Sequence, residues 1–513
     1  MATHYEPVVK IGGTVIDPHW SAVTPTALQP ITIKWGAATH FDDVPPAALT
    51  IEIVHPVPVT HMHQYQGAII EIYVDGARTY RGRIGSTDWR RVTVWDEDAQ
   101  ANEPYWIAKI HALDLSADVR MFRPIPIPVP DTVGPARGWE LENIARREVG
   151  EFPYFGWSSQ FSARGTYFAY WDSMRDQVLA AGLVSDVSLQ VASYVIPANG
   201  SARPAADAPT AWDLIRETYA TIPLGEPCFD PTSDSVTLTR PVVRPAVPLV
   251  YEAGRLRIKS AGSLCVVPAS LLEVAEGMDT STDSTTAIGR VELEGRLLTQ
   301  RLIEFDPNVY VGSTLVFAES RKAYGQTVPG STDDSRVYAR KANIGTMIPA
   351  PGWGSTDERD ATIGSRPELA RPHHRTTAQT VADTAQMIAA LNGQTAQPDV
   401  TIDLERDYDA VPAALRTKLL HSSPVAYLDV AILITGSAAT HELGIDPMMQ
   451  VIGGTLVYTP DGWRHTLRFA PVPRSTAPPL TIAQLVTSPT ATYDSYADNI
   501  TLGLLGQITQ GAS

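Results

Sequence analysis

The chain has 513 residues, with 40 Lys and Arg against 56 Asp and Glu, and so carries a formal charge of −16. At roughly 150 residues per domain, this length predicts about three domains. The hydrophobic share of 44% excludes disorder over the whole chain. The acidic balance argues against a general nucleic-acid binder, which needs a basic face to neutralise phosphates. A charged fraction of only 19%, together with 41 Pro and 36 Gly, favours a strand-rich and turn-rich protein over a helical bundle.

The cysteine content and the hydrophobic runs exclude further classes of protein. Cys228 and Cys265 are the two cysteines, too few for a disulfide framework or a cysteine-rich zinc module. We expect both to be small buried residues, although a single bridge between them stays open. The first ten residues lack the apolar run of a signal peptide, and the apolar stretch 425–435 is too short to span a bilayer. We therefore expect a protein made in a cytoplasm and without a membrane anchor.

The first 120 residues show the alternation of strands that bury one face. The apolar and polar residues alternate at 31–35, 49–54, 68–74, 79–84, 91–95 and 105–111. Asp75-Gly76 between two of these segments predicts a type I′ hairpin turn. Short strands at regular spacing, joined by turns, predict an antiparallel barrel or sandwich.

The middle of the chain reads as a connector followed by helices. The proline run at 124–130 cannot be a central strand and predicts an extended connector. Helical spacing of apolar residues then predicts helices over 137–149, 170–183 and 211–221. Gly182 is the predicted end of the second helix, and Thr210 the predicted N-cap of the third. The tryptophans along these helices are expected in the core.

Strand patterns return from residue 235. We predict strands at 235–240, 255–259, 271–275, 288–293, 399–404 and 425–434, and a hairpin of 448–458 and 463–469. A helix is predicted over 377–391, and Gly393 would end it. The stretch 325–371 is rich in Gly, Pro, Ser and Thr and predicts long ordered loops or a flexible excursion.

These boundaries divide the chain into five predicted units. They are an N-terminal β-barrel (1–123), a Pro-rich connector with a helical and aromatic domain (124–230), a β-rich middle domain with long loops (231–375), a helix with a C-terminal barrel-like domain (376–475), and an extended tail (476–513). The predicted fold class is therefore mainly β with a smaller helical part, an α+β arrangement of antiparallel barrels with a helical insertion.

No enzymatic fingerprint is present: the sequence lacks GxGxxG after a strand, Walker A, HExxH and GxSxG. Histidines occur close together at His55, His61, His63, His373 and His374, and adjacent carboxylates occur at Asp42-Asp43, 96–98, Asp333-Asp334 and Asp357-Glu358. The histidines lack a nearby acidic or Cys partner, and adjacent acids on a strand point to opposite faces. We therefore predict no catalytic, cofactor-binding or metal-binding residue and no cofactor. The aromatic segments 152–157 and 167–171 are expected in a core or interface.

Several segments, in order along the chain, resemble minor tail proteins of long-tailed actinobacterial phages. Residues 31–36, an acidic and Pro-rich spacer and residues 49–53 are similar to the N-terminal opening of those proteins, and 70–84 to their strand, DG turn and strand. Further similar segments are 110–115, which ends their first barrel, 211–219 with 236–240, their helix before a strand pair, and 462–469, their closing strand. Residues 260–375 resemble nothing in this family.

The resemblance implies a structural role at the tail tip. Proteins of this hub type consist of tube-like antiparallel β-barrels and assemble as a ring, commonly a trimer. They join the tail tube and distal tail protein to host-facing tip and receptor-binding proteins, enclose the end of the tape measure protein, and close the tube until DNA ejection. The implied location is the virion. A charge of −16 suits a ring through which DNA passes without specific binding, because acidic walls repel phosphates.

Two other functions stay open at this point. A cell-wall hydrolase or glycosidase domain could lie within residues 260–375, although no enzymatic activity is expected for the rest of the chain. A host-receptor or carbohydrate-binding tail protein could use the aromatic residues of segment 167–171. Clearing of host peptidoglycan in a gel would favour the hydrolase, and binding of the protein to whole host cells would favour the receptor-binding module.

Overall fold

The structure of the protein is a computed structural model. It describes residues 5–16, 26–56, 63–96, 100–124, 174–188, 210–219, 222–242, 244–245, 249–252, 255–258, 264–268, 273–274, 290–299, 309–311, 314–327, 336–347, 368–372, 387–388, 391, 399–407, 411–435, 448–459 and 461–473. Several predictions lie outside these residues: the helix 137–149, the aromatic segments 152–157 and 167–171, the tail 476–513, His61, His373, His374 and the carboxylates at 97–98, 333–334 and 357–358.

The N-terminal part folds into strands, as the alternation predicts. The strands are β1 (Pro7–Ile11), β2 (Thr14–Ile16), β3 (Thr26–Gly36), β4 (Ala48–Pro56), β5 (Ile69–Val74), β6 (Ala77–Asp96) and β7 (Ala101–Asp114), followed by a helix over Ser116–Met121. Asp75 and Gly76 have φ values of 51° and 75°, and two positive φ values are what a type I′ turn requires. The predicted strands 79–84 and 91–95 are one strand, β6, with a bulge between Ile84 and Ser86.

The middle part combines short helices and strands. Residues 174–180 are helical, and Gly182 follows with a φ of 65°. The next elements are β8 (Asp186–Val187), a helix over Ala211–Tyr219, β9 (Glu226–Asp230), β10 (Ser235–Thr239), β11 (Leu249–Glu252), β12 (Arg255–Ile258), β13 (Leu264–Pro268) and β14 (Glu273–Val274). Thr210 is the N-cap: the Asp213 amide donates to its Oγ1 at 3.2 Å, and its own amide donates to Asp213 Oδ2 at 2.9 Å.

The remaining elements are mostly strands. They are β15 (Arg290–Thr299), β16 (Val309–Val311), β17 (Thr314–Thr327), β18 (Arg336–Met347), β19 (Glu368–Pro372), β20 (Val400–Asp403), β21 (Ala431–Thr435), β22 (Met448–Thr459) and β23 (Gly462–Pro471). Helices cover Leu404–Asp407 and Ala413–Arg416, and 3₁₀ turns cover Lys418–Leu420 and Pro424–Tyr427. The predicted hairpin of β22 and β23 is confirmed. Of the predicted helix 377–391, the described residues 387–388 and 391 are helical.

Two predictions for this half of the chain are wrong. The predicted long strand 425–434 begins as a 3₁₀ turn, because Pro424 occupies its first turn and the Ser423 hydroxyl accepts from the Val425 amide at 3.3 Å. The strand starts only at Ala431. The predicted loop stretch 325–371 contains β18, which pairs with β15 on one side and β17 on the other. Pairing along both edges stabilises a strand whose sequence has little alternation.

Thirteen of the described strands form one mixed sheet. Its main path runs β14-β20-β23-β22-β3-β4-β7-β6-β5-β1-β2, with β21 beside β22 and β13 beside β21. The chain is thus mainly β with few helices, as predicted. The Trp463 indole of β23 donates to the Tyr5 carbonyl, next to β1, at 2.7 Å. Because these strands are far apart in the path, the sheet must curl until both halves enclose one apolar core, which contains residues of β1, β3–β7, β13 and β20–β23.

A second, smaller core lies beside the main sheet. Strands β8, β10 and β9 form a three-stranded sheet in that order. Their buried residues pack with those of the helix Ala211–Tyr219, of the segment 174–187 and of the helix Ser116–Met121. Trp212, Ile215 and Tyr219 are buried here, as the helical spacing predicts.

Residues 275–399 leave and re-enter the main sheet at neighbouring strands. Strand β14 pairs antiparallel with β20 through Glu273–Thr401 and Val274–Val400. Between them lies a five-stranded sheet in the order β16-β17-β18-β15-β19. In the described residues no strand pairing joins this sheet to the main sheet. None of the described helices is long and apolar enough to cross a membrane.

Candidate functional site

Two strands that are far apart in sequence, β3 and β22, meet in a seam, which is the first feature of functional interest. Residues 31–36 of β3 pair antiparallel with residues 453–458 of β22. The backbones approach closely where Gly36, with a φ of 80°, faces Gly453. A Cβ atom at Gly36 would overlap the Gly453 Cα and the Ile452 carbonyl oxygen. The seam therefore requires glycine at this crossing.

A buried histidine joins the seam to the segment 411–430. The Trp35 indole donates to His465 Nε2 at 3.0 Å, and His465 Nδ1 lies 2.8 Å from the Leu419 carbonyl oxygen. These bonds require a neutral ring with its proton on Nδ1. Burial lowers the pKa of His465 to about 4, which agrees with that neutral form. Trp35 also stacks on Tyr427, with ring centroids 5.7 Å apart.

Ion pairs and hydrogen bonds fasten the three-stranded sheet to the outer face of β5 and β6. Arg81 of β6 pairs with Asp234, which adopts a positive φ of 58° before β10. Arg78 donates to the Pro231 carbonyl oxygen at 2.5 Å and to Glu71 at 3.1 Å. The hydroxyls of two serines extend this contact: Ser422 Oγ donates to the Thr79 carbonyl at 2.6 Å, and Ser423 Oγ to the Phe229 carbonyl at 2.7 Å. Both sheets are thereby held by the segment before β21.

A cluster of charged groups lies where the helix Ser116–Met121 meets the helix Ala211–Tyr219. Asp114 is buried and accepts from the amides of Ala47 at 2.5 Å and Ser116 at 2.9 Å. Burial nevertheless raises the pKa of Asp114 to about 6, against the opposing effect of these hydrogen bonds. Arg120 lies over the Trp212 ring, 4.1 Å from its centroid, and donates to the Val44 carbonyl at 2.6 Å.

The same region contains a small cleft between the loop after β3, strand β9 and strand β22. Arg216 pairs with Asp43 and, at 3.2 Å, with the buried Glu226 on the wall of this cleft. On the opposite wall, Gln450 accepts from the Val242 amide at 2.7 Å and donates to the Arg240 carbonyl at 3.1 Å. Each of these polar groups thus makes contacts within the fold, which indicates a structural junction between β3, β9 and β22.

The sequence-predicted candidate residues take structural roles where the structure describes them. Asp42 accepts from the amide and hydroxyl of Thr39, both at 2.9 Å, and so stabilises a turn. His55 is buried and forms a hydrogen bond with the hydroxyl of Tyr65, while His63 is exposed. Burial lowers the pKa of His55 to about 4. Cys228 and Cys265 are both buried, and they do not form a disulfide with each other. In the described part of the chain, no group of three or more His, Cys, Asp or Glu residues is arranged to hold a metal ion.

Sequence reasoning did not find the contacts that hold the ends of the chain together. The partners of His465 are 430 and 46 residues away in sequence, and Arg81 and Asp234 are 153 residues apart. The available signal was the Gly453-Gly454 pair inside an apolar strand, because glycine in a strand interior indicates close approach of another backbone.

No family model matches the chain, and no curated protein matches it either. Among solved structures it is similar to a tail protein from Neisseria meningitidis MC58, with 12% identity, a TM-score of 0.41, and coverage of 91% of this chain and 96% of that chain. It is also similar to a 43 kDa tail protein of prophage MuSo2 from Shewanella oneidensis, with 11% identity, a TM-score of 0.41, and coverage of 91% and 98%. The E. coli c3393 protein, a type VI secretion component, matches with 9% identity, a TM-score of 0.36, and coverage of 92% and 81%. Similarity at these scores is too weak to transfer a role to this chain.

Proposed function

We propose that this protein is a structural component of a phage tail tip, a hub that joins the tail tube and distal tail protein to host-facing tip proteins. In this role it forms a ring with further copies of itself, as a trimer, and encloses the end of the tape measure protein. It closes the tube until DNA ejection, is made in the host cytoplasm, and has no enzymatic activity of its own.

The observation that supports this proposal is the convergence of the segments that resemble hub-type tail proteins. Residues 31–36, 49–53, 70–84, 110–115 and 462–469 lie in β3, β4, β5 with β6, β7 and β23, all within the one curled sheet. The helix Ala211–Tyr219 and strand β10 pack against this sheet through the second core. Segments scattered over more than 400 residues of sequence thus form one contiguous body, as expected if the resemblance reflects one assembly unit.

The part that does not fit the resemblance is topologically separate. Most of residues 260–375 belong to the segment that leaves the main sheet after β14 and returns at β20. The proposed hub body is therefore complete without this segment.

Immunogold electron microscopy of virions tests the proposed location. Antibody raised against the full chain should label the tail tip, and antibody absorbed with the purified protein before labelling serves as the control. Label on the capsid or along the length of the tail would contradict the proposal. The same antibody blocks the tip, so we also expect it to inhibit DNA ejection in a fluorescence assay.

Mass photometry of the purified protein mixed with the distal tail protein tests the ring. A complex with three copies of this chain is expected, together with an absence of peptidoglycan clearing in a gel assay. Clearing would favour the hydrolase alternative over the hub.

A further inference from the structure

Strands β6 and β7 extend beyond the rest of the main sheet as a two-stranded arm. Strand β5 pairs with β6 only as far as Arg83, and β4 pairs with β7 only as far as the pair Pro56–Tyr105. Residues 93–96 of β6 and 101–104 of β7 continue beyond these limits, and their strand pairing in the described residues is with each other. The arm therefore presents faces that the sheet's own neighbours do not cover.

A row of aromatic residues runs along one face of the arm and of the adjoining part of β6 and β7. Alternate residues of a strand share a face, so Trp89, Arg91 and Trp95 of β6 lie on the face that is continuous with the main core. Trp106 of β7 is the direct cross-strand neighbour of Arg91 on that face. Trp95 is 53% exposed, and Trp106 is half-buried. From Arg91 to Trp95 the strand rises about 13 Å, so the indoles are spread along the arm.

At the inner end of this row, Trp89 packs against other rings. Trp89 stacks nearly parallel on Tyr65, with ring centroids 6.2 Å apart and an interplanar angle of 9°. The ring centroids of His55 and Trp89 lie 5.4 Å apart, and His55 forms a hydrogen bond with the Tyr65 hydroxyl. His55 is also the cross-strand neighbour of Trp106. The inner end of the aromatic row is thus preorganised by packing, which lowers the entropy cost of binding a ligand there.

The positive charge of Arg91 on this face has no described acidic partner. Arg91 is exposed, and no described residue pairs with its guanidinium group. Arg90, its neighbour on the opposite face of β6, lies 3.9 Å from Glu52. A cation on the same face as three indoles fits a ligand that offers both an anionic group and apolar ring faces, since guanidinium binds carboxylate or phosphate oxygens through paired hydrogen bonds.

We propose that the face formed by Trp89, Arg91, Trp95 and Trp106 binds an acidic polysaccharide. The C–H faces of the sugar rings stack on the indoles of Trp95 and Trp106, while a carboxylate or phosphate of the chain pairs with Arg91. An extended polymer matches the elongated row better than a single small molecule does. This site does not depend on the proposed position in the tail.

Titration of the full-length protein with defined polymers, followed by tryptophan fluorescence, tests the site. Polygalacturonate supplies carboxylates and phosphomannan supplies phosphates, and methyl-esterified polygalacturonate and neutral mannan are their uncharged counterparts. We expect at least one acidic polymer to bind, with its neutral counterpart about tenfold weaker. Trp95→Ala and Arg91→Gln should each weaken binding about tenfold. Binding to neither acidic polymer at millimolar repeat concentration would overturn the proposal.

Two control variants separate this site from general charge attraction. Arg90→Gln removes the same charge from the other face of the same strand and should change binding less than about twofold. Met121→Ala removes an apolar residue that is 72% exposed elsewhere and should leave binding unchanged. Equal weakening by Arg90→Gln and Arg91→Gln would overturn the site. Loss of self-association in Trp95→Ala, measured by sedimentation, without loss of polymer binding would instead identify the face as an interface between copies of this chain.

Discussion

Single residues show how the fold depends on contacts between distant parts of the chain. His465 is neutral and fully buried between Trp35 and Leu419, and burial lowers its pKa from 6.5 to about 4. The unfolded chain therefore binds one more proton than the folded protein between about pH 4 and pH 6.5. It follows that this residue makes stability rise with pH across that window, and that acid removes this contribution.

The pH dependence of unfolding in a His465→Gln variant tests that argument. Between pH 7.5 and pH 5, His465 should lower the free energy of unfolding by about 2 kcal/mol in the wild-type protein. Glutamine donates and accepts like the neutral ring but does not titrate, so the variant should lack this loss. Asp114 shifts stability in the opposite direction, because its pKa is raised to about 6, but it is unchanged in both proteins. Parallel urea-denaturation curves against pH for the two proteins would contradict the assignment.

At the scale of single residues, the sequence predicted only local contacts. The N-cap at Thr210 and the turn at Asp75-Gly76 follow from residue types within a few positions of each other, and both are confirmed. The environment of His465 could not be predicted, because its partners lie in β3 and in a 3₁₀ turn. A histidine on an alternating strand looks the same in sequence whether its strand faces solvent or a second layer.

At the scale of elements, the crossing of β3 and β22 is the most demanding contact. Gly36 and Gly76 have nearly equal positive φ values, 80° and 75°. They differ in the space around them, since a Cβ at Gly76 meets nothing within 4 Å and one at Gly36 overlaps the backbone of β22. The same substitution at both positions therefore separates backbone strain from close approach.

We expect Gly36→Ala to destabilise the protein far more than Gly76→Ala. Alanine at Gly76 should lower the free energy of unfolding only through the strain of the left-handed backbone, by about 1–2 kcal/mol. Alanine at Gly36 causes the same backbone strain and also forces two central strands apart. The free energy of unfolding should therefore fall by at least about 2 kcal/mol more than at Gly76. Thermal unfolding of both variants measures the difference. If Gly36→Ala does not fold, the yields of soluble protein of the two variants are compared instead. Equal melting temperatures would show that β22 does not approach Gly36 as described.

Element types were predicted better than element ends. Hairpins with clear turn residues, such as β22 with β23, were predicted correctly because turn chemistry is local. The prediction of a strand over 425–434 was wrong because it rested on the apolar run alone. Ser423 and Pro424, just before that run, favour a 3₁₀ turn. Strand β18 was missed because its pairing with β15 and β17, and not its own alternation, holds it in the sheet.

At the scale of the whole molecule, the chain closes on itself. The pairing of β3 with β22 places residues 31–36 and 453–458 side by side, which no pattern within either segment can reveal. The division into five units, with boundaries after 123, 230, 375 and 475, stays a prediction. The topology suggests a different way to divide the chain, because β14 and β20 are neighbours in the main sheet and residues 275–399 lie between them.

Excision of residues 275–399 tests whether that segment is a separable insertion. Val274 and Val400 are antiparallel partners, so their Cα atoms lie about 5 Å apart and a two-residue Asn-Gly turn can join them. The shortened protein should keep the main sheet, with a cooperative thermal transition and the fluorescence of the buried Trp35 and Trp463. The matched control deletes the paired end of β22 and β23, residues 457–464, and should abolish the transition, because those strands join both halves of the core. Aggregation of the shortened protein under conditions in which the full chain is soluble would show that residues 275–399 are part of the core.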